Sequence, residues 1–229
     1  MKLANKRSLC QISLVYGVGV NDSDYNVMIR KNKKQILCPF YRKWCDMLKR
    51  CYSLKWHKQN PTYIGCSVCP EWIYFSKFRL WMENQKWKGM ELDKDLLVKG
   101  NRVYGPDACC FIPKAINSLF GSGGKKKINL HLPEGVTLTA NGKYMVSIRI
   151  RPGKKYRKTI SFLKEAHIDA LEKKIEAVEY GIISYPELDI RVVFALNREI
   201  KEMQEKINII QNSLPNLFDF STLQGIITV

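Results

Sequence analysis

The segment from Leu92 to Asn117 limits the fold more than any other part of the chain. The stretch Leu92-Asp93-Lys94-Asp95-Leu96-Leu97 leads into a loop with Gly100-Asn101, and an apolar run at residues 109–112 follows. Short apolar runs bounded by turn formers are typical of strands. The segment therefore predicts a short strand, a glycine-containing loop, a second strand and the start of a helix that carries Asn117.

Two amphipathic helices are predicted before this segment. The first begins at Pro39, because apolar residues then recur at helical spacing while lysines and arginines occupy other positions. The second runs from Pro70 to about Gln85, and we expect its large apolar side chains to pack in the core. The apolar residues of the first helix are Trp44, Leu48, Cys51 and Tyr52, and those of the second are Trp72, Phe75, Phe78, Trp81 and Met82.

The C-terminal part of the chain has a different pattern. Residues 121–127 have the composition of a flexible hinge, which predicts one domain over residues 1–120 and another over residues 121–229. Beyond the hinge, three alternating runs separated by Asn141-Gly142 and Pro152-Gly153 turns predict an antiparallel meander. Helices are expected from about Lys164 to Tyr180 and from about Glu187 to Asn212. The predicted fold class is therefore α+β.

The charge of the chain points to a class of partner. The sequence has 38 Lys and Arg against 21 Asp and Glu, a formal net charge of +17, and residues 121–161 contain a single acid, Glu134. This balance favours double-stranded DNA over the alternative of a solvated basic surface. Since no apolar run matches a membrane span and no signal peptide is visible, we expect a cytoplasmic protein without a membrane partner.

The motifs lie in a wider pattern that resembles bacteriophage HNH-type homing endonucleases. One matching stretch runs from Tyr41 to Ser53 through Trp44 and Arg50, a second from Pro61 to Phe75, and the third is Leu92 to Asn117. The resemblance covers roughly residues 15–120. It implies an N-terminal HNH-like ββα-metal domain with flanking helices, encoded by a phage and located in the cytoplasm of its host.

The resemblance also implies a divalent metal site for Mg²⁺ or Mn²⁺. Asp93 would be the acidic ligand, Asn117 the distal ligand and Asn101 the residue that braces the loop. The family has a histidine base beside the acid, and Lys94 stands there instead, so a base at this position needs a strongly lowered lysine pKa or the carboxylate of Asp95. In the alternative without catalysis, Asp93 caps a turn and Lys94 pairs with it.

The meander and helix at about residues 136–181 resemble the AP2-type DNA-binding module, whose sheet lies in the major groove. Alternation along the middle strand places Arg149 and Arg151 on one face with Ser147, and the opposite face is expected to pack on the helix. Contacts to base edges and contacts to phosphates both remain open. The residues expected to bind DNA are Lys143, Arg149, Arg151, Lys154, Lys155, Arg157 and Lys158.

Several cysteines have a spacing that permits a zinc site. Cys66 and Cys69 form a Cys-x-x-Cys motif, and the adjacent Cys109 and Cys110 lie in the later motif. Neighbouring residues of a strand point to opposite faces, so only one of the adjacent pair, taken here as Cys109, would ligate easily. Small buried apolar side chains are the other interpretation of these cysteines.

These observations predict a DNA-binding protein related to phage HNH homing endonucleases that cleaves or nicks double-stranded DNA with a divalent metal. The alternative is a catalytically inactive phage DNA-binding regulator or host-defence antagonist that acts through protein partners. In that case the apolar residues of the last helix, from about Glu187 to Asn212, would contact a protein partner or a second copy of the chain.

Overall fold

The computed structural model describes residues 14–31, 34–120 and 132–213. Two compact units divide the chain: unit 1 is drawn from Met1–Lys126 and Tyr185–Ala195, and unit 2 from Lys127–Ser184 and Leu196–Val229. The predicted hinge at residues 121–127 lies outside the described residues. Both units combine helices with small sheets, so the predicted α+β class is confirmed.

Unit 1 contains three two-stranded sheets and four α-helices among its described residues. Strands β1 and β2 pair antiparallel, β3 and β5 pair parallel, and β4 and β6 pair antiparallel. Two short 3-10 helices, Pro61–Tyr63 and Pro70–Ile73, lie between these elements. In chain order the elements are β1 (Met28–Lys31), β2 (Lys34–Leu37), α1 (Pro39–Tyr52), α2 (Leu54–Gln59), β3 (Ser67–Val68), α3 (Phe75–Glu83), β4 (Met90–Asp93), β5 (Val103–Tyr104), β6 (Cys110–Pro113) and α4 (Lys114–Phe120).

Helix α1 is the central element of the unit 1 core. Pro39 occupies its first turn, where a missing backbone N–H costs nothing, and the apolar face predicted from the sequence is buried. Trp44 and Leu48 are completely buried on that face. The Trp44 indole Nε1 donates a hydrogen bond to the Trp72 carbonyl over 2.7 Å, which connects α1 to the turn before α3. The predicted helix is therefore confirmed.

The single helix predicted from Pro70 to about Gln85 is wrong in one respect, because it is interrupted at Tyr74. Residue 74 is extended, with φ −87 and ψ 123, and separates the 3-10 turn from α3. Val20 pairs in a strand-like manner with this segment: its N–H donates to the Ile73 carbonyl, and Phe75 N–H donates to the Val20 carbonyl. The expectation that the aromatic stripe belongs to the core is confirmed, since its buried members are Trp72, Phe75, Phe78 and Met82.

Unit 2 contains the predicted antiparallel meander, with strand order β7-β8-β9. One face of β8 packs on α5 through buried Val146, Ile148 and Ile150. The last helix begins at Ile190 rather than near residue 187, because the Asp189 carboxylate accepts a hydrogen bond from the backbone N–H of Arg191 and caps the helix. The elements are β7 (Val136–Leu138), β8 (Tyr144–Arg151), β9 (Lys154–Ile160), α5 (Leu163–Ser184) and α6 (Ile190–Asn212), of which residues 196–212 belong to unit 2.

Nothing in the described ranges forms a helix that is long and apolar enough to cross a lipid bilayer.

A side chain at position 135 is predicted to destabilise unit 2. The φ of Gly135, +82, lies in the left-handed region, and a Cβ there would collide with the Cδ1 methyl of Ile148. Gly135→Ala is expected to destabilise unit 2 by about 2–3 kcal/mol, the sum of backbone strain and repacking of Ile148. Gly142→Ala, at φ +72 with no atom near the added Cβ, should cost about 1–2 kcal/mol from strain alone.

Urea denaturation followed by circular dichroism measures both free energies of unfolding. Equal losses of unfolding free energy in Gly135→Ala and Gly142→Ala would show that the collision with Ile148 adds nothing to the cost at Gly135.

Candidate functional site

The segment Leu92 to Asn117 folds as two antiparallel strands followed by a helix. Strands β4 and β6 pair with Asp93 opposite Cys110, and α4 begins directly after β6 and packs on both strands. Glu91 and Asp93 are two residues apart on β4, so they lie on the same face of the hairpin. Asn117 of α4 donates from Nδ2 to Glu91 Oε2 over 2.7 Å. The hairpin and helix thus bring two carboxylates and one amide into the same region.

The carboxylate of Asp93 shapes the turn after β4. Its Oδ1 accepts hydrogen bonds from the backbone N–H groups of Asp95 at 3.0 Å and Leu96 at 2.8 Å. Burial raises the pKa of the Asp93 carboxyl above its ordinary value, and the hydrogen bond from Leu96 opposes this rise without cancelling it. Both turn hydrogen bonds go to Oδ1, and the other carboxylate oxygen, Oδ2, takes no part in them.

Lys94 is the buried charged residue of this region. Its Nζ donates to Asp95 Oδ2 over 2.9 Å and to the Asn101 carbonyl over 3.1 Å. Burial by itself lowers the pKa of the ammonium group, but the hydrogen bond and charge of Asp95 outweigh burial, so the pKa of Lys94 is raised. This direction is the opposite of the one that a lysine base needs. Lys94 therefore pairs with Asp95, and not with Asp93 as the non-catalytic alternative assumed.

Asn101 holds the loop between β4 and β5. Its Nδ2 donates to the carbonyls of Lys94 and Val103, each over 2.7 Å, and its Oδ1 accepts from the Val103 N–H over 3.2 Å. One side chain therefore replaces several backbone hydrogen bonds that this irregular segment could not make by itself. Asn101 therefore ties the backbone at Lys94 to the start of β5.

Three residues contribute to this region although no role in the site was predicted for them: Glu91, Lys43 and Arg50. From α1, Lys43 Nζ donates to the Met90 carbonyl over 2.7 Å, and Arg50 Nη1 donates to the Leu92 carbonyl over 3.2 Å. These bonds satisfy carbonyl groups of β4 that no strand in the described ranges pairs with. Alternation along β4 could have identified Glu91 as a neighbour of Asp93, whereas the two basic contacts are long-range and leave no local signal.

The three cysteines of the predicted zinc site lie in unit 1. Cys66 and Cys109 are buried and Cys69 is half-buried, and all three are free thiols. Burial raises the pKa of Cys109 to about 12, and proximity to Cys69 adds to the rise. Within the described ranges, no three His, Cys, Asp or Glu side chains converge in a way that would hold a metal ion. The zinc site stays a prediction, and its thiols pack as small buried groups.

In unit 2, the face of the sheet away from α5 is basic. Cross-strand partners in an antiparallel sheet point to the same side, and Arg149 pairs with Lys155 while Ser147 pairs with Arg157. All three basic side chains are exposed, and none of them forms an ion pair within the described part of the chain. We call this surface the open face; its strand residues are Thr137, Met145, Ser147, Arg149, Lys155, Arg157 and Thr159.

Two residues predicted to bind DNA, Lys158 and Arg151, do not lie on the open face, and only Arg151 was predicted to share a face with Arg149. Lys158 pairs with Val146 in the sheet register, so it is on the α5 side, where its Nζ lies 3.6 Å from Asp169 Oδ1. A register shift separates Arg149 from Arg151, and the Arg151 guanidinium stacks over the Tyr180 ring at 4.8 Å. The expectation that simple alternation keeps both arginines together is wrong, because the bulge changes the direction of the strand.

The remaining predicted DNA contacts lie at the turns of the meander. Lys154 pairs with Arg151 at the β8–β9 turn, and Lys143 precedes β8 after the Asn141-Gly142 turn. Both side chains are exposed. They lie beside the open face but are not among its cross-strand pairs.

No protein-family model, curated protein or solved structure matches this chain. The proposals below therefore depend on the geometry of its own residues.

Proposed function

We propose that the protein binds double-stranded DNA through the open face of the unit 2 sheet. The observation that carries this proposal is the direct cross-strand pairing of Arg149 with Lys155, beside Arg157 and without an acid in the same rows. Like charges directly opposite each other destabilise a sheet in water. A polyanion removes this repulsion, and binding releases the counterions that DNA phosphates hold.

The dimensions of the sheet support duplex DNA as the polyanion. Three strands spaced about 4.8 Å apart span about 10 Å, and the major groove is about 12 Å wide. Strand β8 is the middle strand, and its opposite face is fixed by the buried contacts of Val146 and Ile148 with α5. The basic side chains therefore project from a rigid support, which lowers the ordering cost of binding.

The test is a titration of the full-length protein with duplex DNA at several salt concentrations. Arg149→Ala/Lys155→Ala is expected to weaken binding about 10- to 100-fold and to reduce the salt slope by about two. Lys201→Ala/Lys206→Ala removes two positive charges from α6 and serves as the matched control. An equal loss in both double variants would contradict a specific role for the open face.

A second candidate function is metal-dependent hydrolysis of the bound DNA by unit 1. It is favoured by the contact of Asn117 with Glu91 and by the place of Asp93 two residues further along β4, since carboxylate and amide oxygens suit Mg²⁺ or Mn²⁺. In this proposal Asp93 and Asn117 would hold the ion, and Asn101 would keep the loop in place. The ion would supply electrostatic stabilisation of the phosphate.

The second candidate assigns proton transfer to Asp95 rather than to Lys94. The Asp95 side chain is half exposed, whereas Lys94 is enclosed between Asp95 and the Asn101 carbonyl. A carboxylate can accept a proton from water at neutral pH, and a protonated lysine cannot. Without this transfer, the protein would bind DNA and leave it intact, as in the regulator alternative.

A further inference from the structure

The β1–β2 hairpin of unit 1 is exposed on both of its faces. Its four residue pairs run from Met28–Leu37 at the base to Lys31–Lys34 near the turn. Ile29 pairs with Ile36, so these two side chains share a face, while Arg30 pairs with Gln35 on the other face. We call this hairpin the basic ribbon; residues 32–33, between its two strands in sequence, lie outside the described ranges.

The base of the ribbon is anchored in the core of unit 1. The Cys38 N–H donates to the Val27 carbonyl over 2.7 Å, and Tyr25 Oη and Cys38 Sγ lie 3.2 Å apart in a buried hydrogen bond. Both Tyr25 and Cys38 belong to the main hydrophobic cluster. The two strands therefore leave a fixed base, and their exposed residues are held in a defined register.

The ribbon exposes more apolar surface than an isolated hairpin needs. Met28 is 52%, Ile29 47% and Ile36 46% exposed, although these β-branched and large side chains usually pack against another layer. A two-stranded hairpin is only marginally stable alone, and a cross-strand isoleucine pair adds no more than about 1 kcal/mol to it. The exposed pair is better explained as a surface that a binding partner covers.

The charge of the segment identifies the class of partner. Between Asp24 and Asp46 the sequence contains no acidic residue, and Arg30 and Lys34 of the ribbon are exposed. This charge opposes pairing of the ribbon with a second copy of itself, because lysines on edge strands repel one another. It is complementary to a phosphate backbone.

We propose that the basic ribbon is a second DNA-contacting element, separate from the open face of unit 2. Arg30 and Lys34 contact phosphates, and the Ile29–Ile36 pair lies against the sugars and base edges of a groove. Two-stranded ribbons fit DNA grooves, and apolar side chains next to basic ones are typical of elements that enter the minor groove. This inference rests on the proposed function, since it takes duplex DNA as the partner.

The test uses full-length protein, duplex DNA and two ribbon variants. Arg30→Ala/Lys34→Ala is expected to weaken binding about 10-fold and to lower the salt slope by about two. Ile29→Thr/Ile36→Thr keeps β-branched side chains and is expected to weaken binding about 5-fold with an unchanged salt slope. Lys55→Ala/Lys58→Ala removes two exposed charges from α2 and is the matched control, with a loss below about 3-fold.

The outcomes separate this inference from the proposed function. If the wild-type protein binds DNA and both ribbon variants bind within the range of the control, the ribbon proposal is wrong while the open-face proposal stands. If the wild-type protein does not bind DNA, both are wrong. Circular dichroism of each variant shows whether the fold is retained, and since the two variants alter different side-chain chemistry, a folded one still decides the question.

Discussion

Replacing Trp44 with alanine is expected to lower the free energy of unfolding of unit 1 by about 3–5 kcal/mol. The side chain is completely buried and packs against the rings of Tyr41 and Phe75, at 5.5 and 5.6 Å between centroids. Its removal leaves a cavity in the middle of the core and an unpaired carbonyl at Trp72. Urea denaturation followed by tryptophan fluorescence measures the loss.

Two conservative variants compare a hydrogen-bonded, completely buried tryptophan with a half-buried one that lacks such a bond. Trp44→Phe loses the bond to the Trp72 carbonyl, whereas the buried indole nitrogen of Trp56 has no hydrogen-bond partner in the described structure. Trp44→Phe is expected to cost at least about 1 kcal/mol more than Trp56→Phe, because Trp44 loses this bond and is also the more deeply buried of the two. A smaller loss at Trp44 than at Trp56 would contradict the assigned role of this bond.

The second large effect is expected at Asp93. If unit 1 nicks DNA, Asp93→Ala should reduce metal-dependent nicking of supercoiled plasmid by more than about 100-fold, because it removes the charged metal ligand. Asn117→Ala should cause a comparable loss, and Asp24→Ala, which removes an exposed carboxylate from the same unit, should leave nicking unchanged. The reactions are compared on a gel with Mg²⁺ or Mn²⁺.

Two results would change the interpretation of this site. Nicking that persists in the Asp93 variant would place any hydrolytic chemistry elsewhere. Plasmid that wild-type protein retards but leaves intact would support DNA binding without cleavage. Because Asp93 also orders its turn through the N–H groups of Asp95 and Leu96, folding of the variant is checked by circular dichroism.

Local patterns predicted the elements whose folding depends on near neighbours. Helix α1 follows from the spacing of Trp44 and Leu48 after Pro39, and the meander follows from alternation around the Asn141-Gly142 turn. The same alternation correctly placed Val146 and Ile148 against a helix. In each case the chain makes the relevant contact with residues close in sequence or within one sheet.

The differences arise where distant residues or local irregularities intervene. Tyr74 interrupts a helix because Val20, more than fifty residues earlier, pairs with the backbone on both sides of it. Arg151 leaves the open face because of a bulge that periodicity does not encode. Lys94 is next to Asp93 in sequence, yet Asp95 and Asn101 set its environment. The raised pKa of Lys94 therefore could not be predicted from the sequence.

The distribution of the cysteines allows unfolding of unit 1 to be followed by thiol chemistry. All eight cysteines precede residue 127, so none lies in unit 2. Burial raises the pKa of Cys51 and Cys109 to about 12, and reagents that attack thiolates therefore react slowly with these residues while unit 1 is closed. Counting the alkylated cysteines by mass spectrometry over time would therefore measure the rate at which unit 1 unfolds in the intact chain, independently of unfolding in unit 2.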